Sequence, residues 1–120
     1  MDWRFQADAP IYTQLIAQIK RGIVTGAFPA GGRLPSVRDL ATEAGVNPNT
    51  MQRALAELER SGLVYSQRTA GRFVTEDGEI IRAAKESLAR EHIKRFLAAM
   101  ADLGYSREEI VSLLGREEET

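Results

Sequence analysis

Two short stretches with helical spacing, separated by a glycine turn, place the strongest constraint on how this chain can fold. The first is VRDLATEA, residues 37–44, and the second lies within GVNPNTMQRALAELERSGL, residues 45–63. Gly45 supplies the positive-φ corner that a sharp turn between two helices requires, and Val46 is the apolar residue that fills the angle between them. This spacing predicts a helix-turn-helix over about residues 37–56.

Local signals predict where both helices begin and end. Ser36, followed three residues later by Asp39, predicts an N-cap that resembles a capping box. Asn47 is the predicted N-cap of the second helix, Pro48 its first residue, and Gly62 the residue beyond its end. The two helices are therefore short and sharply bounded.

The second helix divides into a core side and an outward side when its residues are placed at about 100° intervals. The apolar side predicts four core residues: Met51, Ala54, Leu55 and Leu58. The opposite side carries Asn49, Arg53, Ala56 and Arg60, with Gln52 on the flank. Amide and guanidinium side chains can make paired hydrogen bonds to purine edges in the major groove of DNA. The backbone N–H groups of Asn49 and Thr50 are also expected to be free for an anion such as phosphate.

The segments on either side predict the rest of a small domain. WRFQ, residues 3–6, alternates in polarity and predicts a short strand with Trp3 and Phe5 on one face. A helix is expected from Pro10 to about Gly26, capped by Asp8 or Ala9, with an apolar stripe of Ile11, Leu15, Ile16, Ile19 and Ile23. After the helix-turn-helix, LVYS and RFVT predict a hairpin, or wing, over about residues 63–75. Its turn, QRTAG, ends in Gly71 and carries Arg68 and Thr69 at the tip, and Arg72 begins the return strand.

The tail predicts two further helices. The first is expected from about Glu79 to Leu103, ending at Gly104, with one broad apolar face: Ile80, Ala84, Leu88, Ile93, Phe96, Leu97, Met100 and Leu103. SREE, residues 106–109, is a full capping box for a last helix carrying Ile110, Val111, Leu113 and Leu114. The broad face exceeds what one small neighbour needs, which predicts a homodimer; packing back onto the chain's own winged domain is the alternative.

Charge and composition narrow the function classes. The net charge is −1, yet residues 33–72 hold six arginines against four acids, so this part of the chain is compatible with a polyanionic partner. The chain has no cysteine, its one histidine, His92, is expected to lie on the surface, and no Gly-rich phosphate loop follows a strand. We therefore expect no enzyme, no metal site and no cofactor. The absence of a signal peptide and of a long apolar run favours a cytoplasmic protein.

The segment AGGRLPSVRDLATEAGVNPNTMQRALAELERSGLVYSQRTAGRFV resembles the winged DNA-binding domain of the GntR family of bacterial regulators. VNPNTMQRAL, followed by a short tail, is similar to the YtrA-type branch of that family. The resemblance implies a mostly α fold with a small hairpin wing: a winged helix-turn-helix domain over residues 1–76 and a helical dimerisation segment over 77–120. It also implies base or phosphate contacts from Ser36, Arg38, Asn47, Asn49, Thr50, Gln52, Arg53, Arg68 and Thr69, and Arg72 lines the same side of the predicted domain.

The expected function is sequence-specific regulation of transcription, by repression, through a homodimer on a palindromic operator. Two-fold dimers of this kind read half-sites about 34–36 Å apart. By resemblance, the targets are its own operon and a neighbouring ABC-type transporter. The tail is too short to enclose a ligand domain, so any effector would bind between subunits. The alternative is a winged-helix protein-interaction module without nucleic acid, but that function predicts aromatic or aliphatic anchors where Asn49, Arg53 and Ala56 stand.

Overall fold

The computed structural model describes residues 1–117 of the chain. Within that range it contains five helices and one antiparallel hairpin: α1 (Ile11–Val24), α2 (Val37–Ala44), α3 (Pro48–Arg60), β1 (Val64–Gln67), β2 (Gly71–Val74), α4 (Gly78–Asp102) and α5 (Arg107–Glu117). The chain forms two compact units, one ending at Glu86 and the other beginning at Ser87. None of these helices combines the length and apolar character that crossing a membrane requires, within the described residues.

The core of the first unit confirms most of the apolar stripes predicted for α1 and α3. Leu15, Ile19 and Ile23 of α1 are buried, and so are the four predicted core residues of α3. Ile11 is exposed instead, because it is the first residue of α1. Its neighbour Pro10 occupies the N-cap position without a side-chain bond, so the predicted cap at Asp8 or Ala9 is wrong.

The predicted strand at residues 3–6 is also wrong, because side chains of α1 take the place of a partner strand. The amide of Gln18 accepts from Arg4 N–H at 3.1 Å and donates to Arg4 C=O at 2.6 Å. Gln14 does the same for Gln6, at 2.8 and 2.9 Å. Trp3 and Phe5 still lie together, with ring centres 6.4 Å apart, and pack against the core.

The helix-turn-helix is formed as predicted. The Ser36 hydroxyl oxygen accepts from Asp39 N–H at 3.1 Å, and the Asn47 side chain accepts from Asn49 N–H at 2.8 Å. Gly45 closes α2 in the left-handed conformation with φ of 71°. The Asn47 cap and Gly45 fix where α3 begins and where α2 ends. Glycine suits this corner because a positive φ is costly for other residues.

The hairpin predicted as a wing is present, with residues 68–70 forming its turn. Its register pairs Val64 with Val74 at the base and Ser66 with Arg72 nearer the turn. Both valines are buried in the core. The base of the wing is thus part of the hydrophobic core, whereas its turn is exposed.

The first unit extends beyond the boundary predicted at residue 76, because the beginning of α4 completes its core. Ala84 is buried there, and Ile80 and Ile81 pack against the same cluster. At about 100° per residue, the positions of Ile80, Ala84 and Leu88 group on one side of a helix and those of Ile93, Phe96, Leu97, Met100 and Leu103 on another. In the structure, the apolar positions predicted as one face are divided between the first unit, which buries Ala84, and the second unit, which begins at Ser87.

The second unit holds the rest of α4, and α5. Large apolar side chains remain exposed in it: Ile93, Phe96, Leu103, Val111 and Leu114. The predicted capping box is confirmed, because Ser106 N–H donates to Glu109 Oε1 at 2.9 Å and Glu109 N–H donates to Ser106 Oγ at 3.2 Å. Ile110 is buried, as expected for the apolar side of α5.

Candidate nucleic-acid interface

The predicted contact side chains lie on three parts of the first unit. Arg38 is on the first turn of α2, and Arg68 and Thr69 are in the turn of the wing. Asn49, Gln52 and Arg53 follow one another along the outward side of α3. All six are exposed, whereas Thr50 is half-buried.

The two helix caps keep hydrogen-bonding groups available for a ligand. Ser36 and Asn47 each use a side-chain oxygen to accept a backbone N–H of their own helix. The Ser36 hydroxyl hydrogen and the Asn47 NH2 group remain able to donate. Both residues can therefore stabilise the fold and donate to phosphate or to a base at the same time.

The backbone N–H groups at the start of α3 are not free, so that part of the prediction is wrong. Asn49 N–H donates to the Asn47 side chain at 2.8 Å, and Thr50 N–H donates to Asn47 C=O at 3.0 Å. Met51 N–H also donates to Asn47 C=O, at 3.1 Å, and Pro48 has no N–H. Any contact that α3 makes with an anion must therefore come from its side chains.

Arg53 rests on an aromatic ring of α1. Its guanidinium carbon lies 4.4 Å from the centre of the Tyr12 ring, within the range of a cation–π interaction. Tyr12 is half-buried against the core, so its ring has a fixed place. This contact links α1 to the outward side of α3.

Arg72 binds an acid of α3 in the structure. Its Nε lies 2.6 Å from Glu59 Oε1, and the Ser66 hydroxyl donates to the same oxygen at 2.6 Å. The hydrogen bond from Ser66, which has the larger effect, and the one from Arg72 hold the pKa of Glu59 below its usual value. Arg72 thus connects β2 of the wing to α3, and its Nε already donates a hydrogen bond to Glu59.

The charges of this region are unevenly compensated. Glu57 pairs with Arg60 at 3.0 Å and Glu59 pairs with Arg72, so both acids of α3 have a cationic partner. The guanidinium groups of Arg38 and Arg68 make no ion pair within residues 1–117. Asp39 of α2 is exposed and also makes no ion pair within residues 1–117, so it offsets Arg38, whereas Arg68 leaves the wing turn positive despite the net charge of −1.

Glu43 of α2 anchors the N-terminal segment to the helix-turn-helix. The Trp3 indole N–H donates to it at 3.0 Å and the Met1 ammonium lies 3.1 Å away. These two groups, the indole foremost, lower the pKa of the Glu43 carboxyl. Glu43 is thus engaged within the first unit.

His92 lies in the second unit, away from these elements in the sequence. It is exposed on α4, and its Nδ1 is 3.1 Å from Arg95 Nη2. Among residues 1–117, no three His, Cys, Asp or Glu side chains are grouped so that they could hold a metal ion.

Two residues of this region, Tyr12 and Glu59, were not predicted from the sequence. Tyr12 lies off the apolar stripe of α1, and no local pattern links it to Arg53. The sequence indicates no role for Glu59, although it joins α3 to both wing strands. Both contacts depend on packing between separate elements, so local signals could not have found them.

Comparison with known proteins places this geometry in one family. Residues 11–74 match the model of the bacterial regulatory proteins of the gntR family. An uncharacterized HTH-type transcriptional regulator, YhcF of Bacillus subtilis, is 41% identical over 111 residues, covering 92% of each chain. The HTH-type transcriptional repressor YtrA of the same species is 36% identical over 93 residues, covering 77% of this chain and 72% of the relative.

Solved structures agree with these sequence relatives. A GntR family transcriptional regulator from Listeria monocytogenes has a TM-score of 0.83 at 39% identity, covering 93% of this chain and 98% of that one. The DNA-binding domain of AraR in complex with operator ORX1 has a TM-score of 0.57 at 28% identity, covering 62% of this chain and 96% of that one. The winged helix-turn-helix fold is thereby confirmed.

Proposed function

This chain belongs to the GntR family of bacterial transcriptional regulators and is not an enzyme, and from that premise we propose that it binds a palindromic operator as a homodimer and represses transcription. α3 enters the major groove, Arg38 of α2 contacts the DNA beside it, and the wing turn contacts the adjacent backbone. The other predicted contact residues add further DNA contacts beside those of α3, Arg38 and the wing turn.

The observation that carries this proposal is the set of exposed arginines beside amide side chains. Arg38 and Arg68 have no acidic partner among the described residues, and Arg53 is held on a ring instead of on a carboxylate. Asn49 and Gln52 add amides able to pair with base edges. A surface of this chemistry suits duplex DNA, whereas a protein-binding winged helix would be expected to offer apolar anchors there.

The second unit supports dimerisation. The apolar side chains at Ile93, Phe96 and Leu103 are 54%, 41% and 73% exposed, which is uncommon for a stable monomer. We propose that they meet a second copy of the chain, together with Leu97 and Met100. Ile80 and Ala84 pack within the first unit, so they contribute less to such an interface, whereas Leu88 of the second unit stays part of the proposed one.

The name of one relative supports repression as the sign of regulation. YtrA is named a repressor, and its sequence matches most of this chain. We propose that this protein represses its own operon and a neighbouring ABC-type transporter, and that it acts in the cytoplasm, where the operator is.

The test is a titration of a labelled duplex that carries the inverted repeat of its own promoter region. We expect tight binding that weakens steeply with salt, and much weaker binding to the same duplex with scrambled half-sites. Arg38→Ala is expected to cost about 1–3 kcal/mol of operator binding if this arginine reads a base.

The matched control is Arg21→Ala. Arg21 is an exposed arginine of α1 that lies about 14 Å along the helix axis from Tyr12, at the end remote from Arg53. Its loss removes the same charge and should change affinity little. Equal affinity for the operator and the scrambled duplex, or equal effects of the two substitutions, would contradict the proposed interface.

A further inference from the structure

The wing needs an anchor outside its base. A two-stranded hairpin is marginally stable by itself. Its base is fixed by Val64 and Val74 in the core, and β2 is also bonded along its outer edge, where Leu34 N–H donates to Arg72 C=O at 2.8 Å. The valines hold the base of the hairpin and the Leu34 bond holds β2 at the level of Arg72, but neither contact joins the strands to a side chain of α3.

Glu59 makes that connection. Ser66 and Arg72 are direct partners in the register of the hairpin, so their side chains lie on the same face. Both donate to one carboxylate oxygen of Glu59, at 2.6 Å each. One side chain of α3 therefore binds both strands of the wing at the same register position. Ser66, its partner on β1, precedes Arg68 of the turn by two residues.

The position of this acid is unfavourable for DNA binding in itself. A carboxylate near a phosphate backbone opposes association. Its side chain is about one-third exposed, and so it is not completely screened from a bound duplex. Simple electrostatics therefore predicts that removal of Glu59 strengthens binding to any DNA, especially since it would release Arg72.

We infer the opposite, namely that Glu59 is a positioning residue that sets the wing at the angle to α3 at which both contact the operator together. It acts through Ser66 and Arg72 and does not itself touch DNA. This inference rests on the proposed function, because it assigns the wing turn and α3 to one binding surface. A wing that lacks this bond to α3 would be less firmly oriented, and its contacts would then cost more entropy to form.

The chain offers a matched control for the charge. Glu57 lies two residues earlier on α3 and pairs with Arg60 of the same helix at 3.0 Å. Glu57→Ala and Glu59→Ala each remove one negative charge from α3, but only Glu59→Ala removes the bonds to Ser66 and Arg72 of the wing. We expect Glu59→Ala to bind the inverted-repeat duplex about tenfold more weakly than Glu57→Ala does, a change within the range seen for groups in one hydrogen-bond network.

A double-mutant cycle tests positioning directly. In the wild-type background Arg68→Ala should weaken binding, and in the Glu59→Ala background the same substitution should have a markedly smaller effect. Glu59→Gln keeps an oxygen that can accept from Ser66 and Arg72, so it should restore part of the binding. If Glu59→Ala is poorly folded by circular dichroism, the comparison is made with Glu59→Gln and Glu57→Gln, with a smaller difference of the same sign expected.

The outcomes separate the two proposals. Wild-type protein that does not distinguish the inverted repeat from its scrambled form would overturn the proposed function. Wild-type protein that does distinguish them, with Glu59→Ala binding as tightly as Glu57→Ala or more tightly, would overturn the positioning role alone. An unchanged effect of Arg68→Ala in both backgrounds would overturn it as well.

Discussion

The guanidinium of Arg53, on the outward side of α3, stacks 4.4 Å from the centre of the Tyr12 ring of α1. Tyr12 packs against the core, and thus the cation is held over a fixed ring. An arginine restrained in this way loses less side-chain entropy on binding DNA than a free one does.

Tyr12→Leu should therefore weaken operator binding while Tyr12→Phe should preserve it. An exposed cation–π interaction is worth about 0.5–1 kcal/mol, so the expected loss is about two- to fivefold in affinity. Anisotropy titration with the inverted-repeat duplex measures it. In an Arg53→Ala background, Tyr12→Leu should cause no further loss of affinity. If Tyr12→Phe lost as much affinity as Tyr12→Leu, the role would belong to the hydroxyl group instead of the ring.

Substitutions at Asn47 should separate its cap from its proposed DNA contact. Aspartate caps a helix about as well as asparagine, and Asn47→Asp should change the free energy of unfolding by less than about 0.5 kcal/mol. The same change removes the NH2 donor and adds a negative charge, so operator affinity should fall at least about tenfold. Urea unfolding and DNA titration on the same samples provide the two measurements.

Asn47→Ser is the control for charge, since serine retains the cap without a negative charge. It should bind DNA better than Asn47→Asp does. Asn47→Ala should lose about 0.5–2 kcal/mol of stability because no side chain then accepts Asn49 N–H. Undiminished DNA binding by Asn47→Asp would refute the contact.

The contribution of Glu59 to stability should depend on pH. Its pKa is lower in the folded protein than its usual value of 4.5, so the bonds from Ser66 and Arg72 stabilise the fold fully above that value and less as the carboxylate is protonated. The difference in unfolding free energy between wild type and Glu59→Gln should be constant near neutral pH. It should shrink as the pH falls below 4.5.

Urea unfolding at several pH values checks this dependence. Glu57→Gln is the control, because its partner Arg60 lies on the surface of the same helix, where ion pairs add little. Its difference from wild type should be smaller at neutral pH. A Glu59→Gln difference that grows on acidification would have the wrong sign for a lowered pKa.

Phe96→Glu should convert the proposed dimer into monomers. The substitution puts a charge among exposed apolar side chains that would otherwise be buried between copies. Sedimentation equilibrium over a range of concentrations should show a lower mass for this variant. Ala98→Glu is the control, because position 98 falls on the other side of the helix from Phe96, Leu97 and Met100. A wild-type protein that sediments as a monomer throughout would refute the dimer without DNA.

The parts of the fold that sequence predicted correctly depend on local signals. Asn47 with Pro48, Ser36 with Asp39, and Ser106 with Glu109 mark helix starts within a few residues, and the structure has each of these caps. The prediction of a strand at residues 3–6 was wrong because the partner of this segment lies outside its own stretch of sequence. Its alternation was real, but the backbone partners were Gln14 and Gln18 of a helix, which no pattern in WRFQ could reveal.

The sequence by itself determined the helix-turn-helix, the wing and the family, because caps, turn glycines and apolar periodicity act between residues close in the chain. Only the tertiary structure decided which charges are free and which are engaged. Arg72 and Glu59 are thirteen positions apart and meet because the hairpin folds back onto α3. Arg53 meets Tyr12 because α1 packs across α3. Such pairings depend on how whole elements pack, and packing is a property of the assembled core.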